Sequence, residues 1–260
     1  MIKSLIDSVL MIVKKPVVLL AGIAFILIDF FFRYLVEDQA IEVVFKFLDF
    51  NSYPIFELQK MPFQLIASYP GELLALSLFL IASSVISTML SVSLANYVFE
   101  KKKSIINSIM FSVKSLMKII GFILFFGLIF IFSGIVLWIV SLLAFAAGLL
   151  GAIILFLVLV LMGFVLIHFV FVPALLGKGM KIKQAFQESW KITGKNFFSV
   201  LLLLIGIAII NTILNQIYLI ILNTSFGEND LMILVEMLFT LIILTYTNLV
   251  FPLFYLNKTK

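Results

Sequence analysis

The chain has 260 residues, of which 64% are hydrophobic and 12% charged, with a formal net charge of +5. A globular domain carries about twice that charged fraction, so water cannot be the solvent for most of this surface. The absence of cysteine excludes disulfides, thiolate metal sites and cysteine nucleophiles, and a single histidine, His168, excludes any site built from two.

In chain order, the first feature is a basic amphipathic segment, SLIDSVLMIVKK at 4–15, ahead of an apolar span over about 17–36. Arg33, Glu37 and Asp38 follow instead of a small-residue cleavage site, so the segment reads as a retained anchor. Asp29 lies roughly 21 Å beyond Lys15 at helical rise. Arg33 follows it at i+4, the favourable order for an acid and a base on one helix. Ionisable residues at such depth are costly and are the first candidates for function; the plainer reading is a self-neutralised pair. Beyond the span, Glu42 and Lys46 suggest a surface helix, and Pro54, Pro62 and Pro70 break the rest of the loop.

A second span over 71–98 carries Ser83, Ser87 and Ser91 at i, i+4 and i+8, a small-residue face that favours close helix packing. A second basic segment, SIINSIMFSVKSLMK, occupies 104–118. From Ile119 to Gly177 no Asp, Glu, Lys or Arg occurs. About 20 apolar helical residues cross a hydrocarbon layer of about 30 Å, so this stretch crosses twice, over 119–140 and 150–173. The small residues of AFAAGLLG, 144–151, supply the turn. Helices carry these spans because lipid satisfies no open backbone group. His168, roughly 13 Å inside the lysine-bearing boundary, reads as bonded to a carbonyl freed by Pro173 rather than as a catalyst.

The third basic segment, KIKQAFQESWKITGKN, begins at 181 and has its amphipathic core at 183–196, ahead of spans over 198–222 and 231–256. Asn211 and Asn215 lie at i and i+4 in the fifth span, where interhelical hydrogen bonding is the plainer reading. Glu236 lies about 8 Å below the outer boundary of the sixth. Asp29, Arg33, Asn211, Asn215 and Glu236 therefore share a depth. Neighbouring first, fifth and sixth spans would join them into one outward-opening polar pocket.

Lysine bias sets the orientation. Lys3, Lys14, Lys15, Lys101–Lys103, Lys114, Lys118, Lys178, Lys181, Lys183, Lys191, Lys195, Lys258 and Lys260 fall on one side of a six-span topology. Glu37, Asp38, Glu42, Asp49, Glu57, Glu228 and Asp230 fall on the other, with only Lys46 and Lys60 among the lysines. The expectation is a multi-pass protein of the cell membrane with both termini cytoplasmic. The lysines flank spans instead of forming one basic face, which argues against nucleic acid.

The three basic segments also align with one another. Leu5, Asp7, Ser8, Val9 and Lys14 match Ile105, Asn107, Ser108, Ile109 and Lys114, and again Phe186, Glu188, Ser189, Trp190 and Lys195. Lysine at a helix C-terminus suits the helix dipole, and each segment suits a helix lying in the cytoplasmic headgroup layer. The predicted fold is thus an all-α polytopic membrane protein, a single integral membrane domain over 1–260 with six transmembrane helices. It would comprise three parallel two-helix hairpin repeats (4–98, 104–173 and 183–256), each preceded by an interfacial amphipathic helix.

Around the third segment, Phe171, Pro173, Ala185, Ser189, Gly194 and Asn196 carry a resemblance. The region is similar to poorly characterised prokaryotic six-span membrane proteins, including the membrane domain ahead of some glycerophosphodiester phosphodiesterases. The resemblance implies the architecture; no phosphodiesterase domain is present, so it implies no activity. There is no Walker loop, GxGxxG, HExxH or GxSxG. The leading expectation is a non-enzymatic integral membrane protein that binds or moves a small molecule, ion or lipid through the outer polar pocket. The alternatives are a membrane scaffold and, last, an intramembrane enzyme acting on lipid headgroups. The expected partners are the bilayer and another membrane protein or a second copy; no cofactor is expected.

Overall fold

The computed structural model describes residues 2–28, 70–100, 104–225 and 231–259, and among these all regular structure is helical, with no strand. In chain order the helices are α1 (Ile2–Lys14), α2 (Val18–Ile28), α3 (Pro70–Phe99), α4 (Ile105–Lys114), α5 (Leu116–Ala147), α6 (Leu149–Ile167), α7 (Val172–Gly177), α8 (Ile182–Lys195), α9 (Phe197–Ser225) and α10 (Leu231–Thr259). The outer loop helix anticipated around Glu42 and Lys46 lies outside the described residues.

Among the described residues, five segments are long and apolar enough to cross a membrane: Ser77–Phe99, Leu116–Ser141, Leu149–Gly177, Phe197–Ile221 and Met237–Thr259. A sixth is added if α1 and α2 count as one span, although they meet at an angle of 89°. The bend falls at Lys15-Pro16-Val17, where proline has no N–H to continue the helical ladder. The anticipated first span, 17–36, is helical from Val18 to the end of its described part at Ile28 and leaves α1 as a separate arm.

The uncharged stretch turns where the small residues predict. Gly148 alone separates α5 from α6, with φ 58° and ψ −127°, a conformation that rewards the missing Cβ. The two helices then pack along each other as an antiparallel hairpin. Their large side chains, including Leu128, Phe132, Phe156 and Leu161, stay exposed, as lipid-facing positions do when every side of a helix is apolar.

The chain divides into two compact units, Met1–Ile23 with Thr88–Lys260, and Ala24–Ser87. In the smaller unit the described part of α3 is largely exposed, including Leu74, Leu78 and Leu80, and Ser84 donates back to the Leu80 carbonyl at 2.7 Å. Of the anticipated serine face, Ser87 is exposed and only Ser91 is buried.

The core of the larger unit lies at one end of the bundle. Every residue from Leu90 to Asn96 is buried, as is 171–177 except Pro173, together with Tyr246, Leu249, Val250, Phe254 and Tyr255. The end of α3, the segment 171–177 and the last turns of α10 touch pairwise. Asn96 Nδ2 donates to the Gly177 carbonyl at 2.9 Å. The Phe171 and Phe254 rings stack at 5.5 Å, and Phe99 meets Tyr255 edge-on at 5.6 Å. Lipid is as apolar as leucine, so such contacts hold by close packing and polar ties rather than by expulsion of water. Gly177 shows how close that packing is: a Cβ there would lie 2.6 Å from the Val92 carbonyl oxygen.

The three aligned basic segments form α1, α4 and α8, and each helix ends on its aligned lysine, Lys14, Lys114 or Lys195. The aligned serines Ser8, Ser108 and Ser189 are all fully buried. Neighbours one turn away extend this face: Ser4 on α1, Ser112 on α4, Ala185 and Thr193 on α8. On α1 and α4 small residues turn inward while Ile6, Val13, Ile106 and Met110 are exposed; Ile105 on α4 and Ile192 on α8 join the buried face, and all three helices end on an exposed lysine. α1 packs on α10 and α9, and α8 packs on α7, α9 and α5.

A candidate binding cavity between α1, α3 and α10

Helical spacing places Lys3, Asp7 and Met11 one turn apart on a single stripe of α1, and Lys15 follows just beyond its end. That stripe, the end of α3 at Tyr97 and Val98, and the last turns of α10 border a partly open cavity of about 440 Å³. α10 contributes Leu253, Leu256 and Asn257, again one helix face. The volume falls within the range of ordinary small-molecule sites, about 300–1,000 Å³.

Asn257 fastens the wall. Its Nδ2 lies 3.2 Å from Ser4 Oγ and 3.4 Å from Asp7 Oδ2, so one amide donates to both the buried serine and the acid of α1. Ser8 donates to the Ser4 carbonyl at 2.7 Å, which keeps its hydroxyl satisfied inside the α1–α10 contact. Two residues before Asn257 on α10, the Tyr255 hydroxyl accepts from Lys178 Nζ at 2.9 Å, and that Nζ sits 4.7 Å from the Tyr255 ring centroid. Four lysines, Lys3, Lys15, Lys178 and Lys258, thus lie on or beside this end of the core.

The lining holds two ammonium groups and one carboxylate, with a phenol and an amide, against a remainder of Met11, Val98, Leu253 and Leu256. That combination suits a molecule with a negatively charged head and an apolar body. Among the described residues no group of three or more His, Cys, Asp or Glu is arranged to hold a metal ion.

Of the residues singled out from sequence, Asn211, Asn215 and His168 are not among those lining this cavity. Asp29 and Arg33 lie outside the described residues, and Glu236 is on α10 with its side chain likewise outside them. Asn211 Nδ2 lies 3.3 Å from Thr247 Oγ1, joining α9 to α10, while Asn215 one turn on is exposed. Asn211 thus makes the interhelical bond that its plainer reading anticipates.

His168 is 2% exposed and caps α6. Its Nδ1 lies 2.7 Å from the Phe164 carbonyl; because a carbonyl only accepts, Nδ1 carries the proton. The bond to a backbone carbonyl is as the sequence suggests, but that carbonyl is not one freed by Pro173. The carbonyl one turn before Pro173 is that of Phe169, which accepts from Val172 N at 3.0 Å. The Phe164 carbonyl is freed instead because the helix tightens at its end, with His168 N bonded to Val165 O at 3.1 Å. The His168 ring lies 4.1 Å from that of Trp190, and its own carbonyl accepts from Ser189 Oγ at 2.5 Å. The residue fastens α8 to the end of α6 and does not line the cavity.

Sequence reasoning missed Lys3, Asp7, Lys15, Tyr97 and Asn257. One signal was present: Asp7 is the lone acid in the first basic segment, midway along the Lys3-to-Met11 stripe. A second, almost wholly apolar groove of about 370 Å³ runs between Phe122, Phe126, Leu166, Phe169 and Leu204. No protein-family model, curated protein or solved structure matches this chain.

Proposed function

We propose that this is a non-enzymatic multi-pass protein of the cell membrane that binds a small polar or amphiphilic molecule, with both termini cytoplasmic. The observation that carries the reading is the cavity in which Lys3, Asp7, Lys15, Tyr97 and Asn257 converge from three helices. A wall held by Asn257 on both Ser4 and Asp7 is organised before any ligand arrives, which lowers the ordering cost of binding.

Six spans in three parallel repeats complete the architecture. Support comes from the common register of α1, α4 and α8, whose aligned serines are buried and whose aligned lysines end each helix. Sidedness rests on the lysine bias. Reporter fusions after residues 60 and 228 should report from outside and a fusion after residue 103 from the cytosol; the reverse pattern removes the orientation.

The binding reading is tested by thermal stability of the detergent-purified protein against a panel of small anions and phospholipids. At least one ligand should raise the melting temperature, and Met11→Trp, which fills the cavity from a half-buried position, should abolish that rise. Ligand stabilisation untouched by Met11→Trp moves the site elsewhere.

Movement across the bilayer is the stronger form of this reading and adds Asp29, Arg33, Asn211, Asn215 and Glu236 as an outer polar station. Their common depth in sequence supports it. Flux in proteoliposomes abolished by Asp29→Asn or Glu236→Gln would bear it out, and unchanged flux would remove these residues.

A further inference from the structure

The cavity's lining divides by chemistry. Lys3 and Lys15 bracket Asp7 on one wall, while Met11, Val98, Leu253 and Leu256 present hydrocarbon to the same space. It lies where α1, turned by 89° from α2, meets the end of α3 and the last turns of α10, which carry Lys258. An amphipathic helix in that position lies at the level of lipid headgroups, and basic pockets between spans at this level hold anionic headgroups.

Resting on the binding reading above, we infer that the cavity receives the phosphodiester headgroup of a membrane phospholipid. Lys3 and Lys15 supply the charge that holds the phosphate, and the Tyr97 phenol lines the same space. Met11, Val98, Leu253 and Leu256 face the glycerol and the start of the acyl chains. Asp7, held toward Asn257 at 3.4 Å, limits the lining to one net positive charge. That charge matches a phosphodiester monoanion and disfavours a headgroup with several negative charges.

Asp7 also separates a binding role from a structural one. Asp7→Asn keeps an oxygen for the Asn257 amide and removes a negative charge facing the ligand. A purely structural Asp7 would leave retention unchanged or weaken it on substitution; the inference requires that anionic lipid be held several-fold more tightly.

The test is native mass spectrometry of the full chain released from nanodiscs of phosphatidylcholine doped with phosphatidylglycerol. The wild type should retain one phosphatidylglycerol per chain. Lys3→Gln with Lys15→Gln should weaken retention roughly thirtyfold, at about 1 kcal/mol for each lysine near an anionic surface. Lys183→Gln with Lys191→Gln, two exposed lysines of α8 outside the cavity, should leave it unchanged, and Asp7→Asn should increase it. Equal loss from both lysine pairs, or none from Lys3 and Lys15, overturns the inference. Inorganic phosphate or glycerol 3-phosphate bound in detergent, with no lipid retained from nanodiscs, overturns the lipid as source. A ligand without phosphate that stabilises the protein in a Met11→Trp-sensitive way, with no phosphatidylglycerol retained, sinks this inference and leaves the cavity reading standing.

Discussion

The side-chain amide of Asn96 donates to the backbone carbonyl of Gly177 at 2.9 Å, joining α3 to α7 where α3 leaves no room for a Cβ on that glycine. Two kinds of stabilisation meet at this point and can be separated. Asn96→Ala removes one polar tie, which within a membrane bundle is worth about 0.6 kcal/mol on average and under about 2 kcal/mol at most. Gly177→Ala inserts a methyl group 2.5 Å from the Ala95 Cβ and 2.6 Å from the Val92 carbonyl oxygen. Neither neighbour can turn aside, so the helices must part, at a cost of about 2 kcal/mol or more. Thermal unfolding in detergent should rank Gly177→Ala as the more damaging change; the opposite order would mean that the close approach is not essential.

The three aligned serines differ in what their hydroxyls do. Ser8 and Ser108 donate within their own helices, to the carbonyls of Ser4 and Ser104 at 2.7 and 3.3 Å. Ser189 instead reaches the His168 carbonyl in another element. Alanine at position 8 or 108 should therefore change stability by less than about 0.5 kcal/mol, whereas Ser189→Ala should cost about 1 kcal/mol. Leucine at any of the three should destabilise strongly, because all are fully buried. Matching losses across the alanine series would show that the Ser189 bond carries no tertiary weight.

His168 acts through its neighbours. His168→Ala removes the Nδ1 bond to Phe164 and the ring beside Trp190, and should lower stability by about 2–3 kcal/mol. In a Trp138→Phe background the emission of Trp190 reports the same change, as a red shift when the ring's packing is lost. Ligand retention, corrected for stability, should persist, since His168 lines no part of the α1–α10 cavity. Specific loss of binding in a folded His168→Ala protein would return the histidine to the functional residues.

Asn211 and Thr247 offer a direct measure of how α9 and α10 hold together. Their 3.3 Å contact predicts a coupling energy of about 0.6 kcal/mol in a double-mutant cycle with alanine at both positions. Asn215→Ala, at an exposed position one turn on, should show no coupling to Thr247. A coupling near zero for the first pair would release Asn211 for the outer polar station suggested by its depth.

Much of the architecture is legible in particular residues. The uncharged run to Gly177 requires two crossings, and a glycine within 144–151 makes the turn between them. Pro16 sets the break between an amphipathic arm and a span. The alignment of Ser8, Ser108 and Ser189 picks out buried positions, although it gives no hint that the serine side faces inward while aliphatic residues such as Ile6, Val13 and Ile106 stay exposed. A bilayer explains that inversion: aliphatic side chains lose nothing by facing lipid, while small ones let helices approach.

What the chain's order of residues determines by itself is its solvent: hydropathy and charge act residue by residue, and a bilayer selects helices from any run this apolar. The cavity belongs to another level. Lys3, Asp7 and Met11 share a helix face by local geometry, yet Tyr97 and Asn257 join them only after α1 settles against α10 and the end of α3 closes the gap. Which faces meet depends on how backbones fit at points such as Gly177, a competition among whole surfaces that no local pattern encodes.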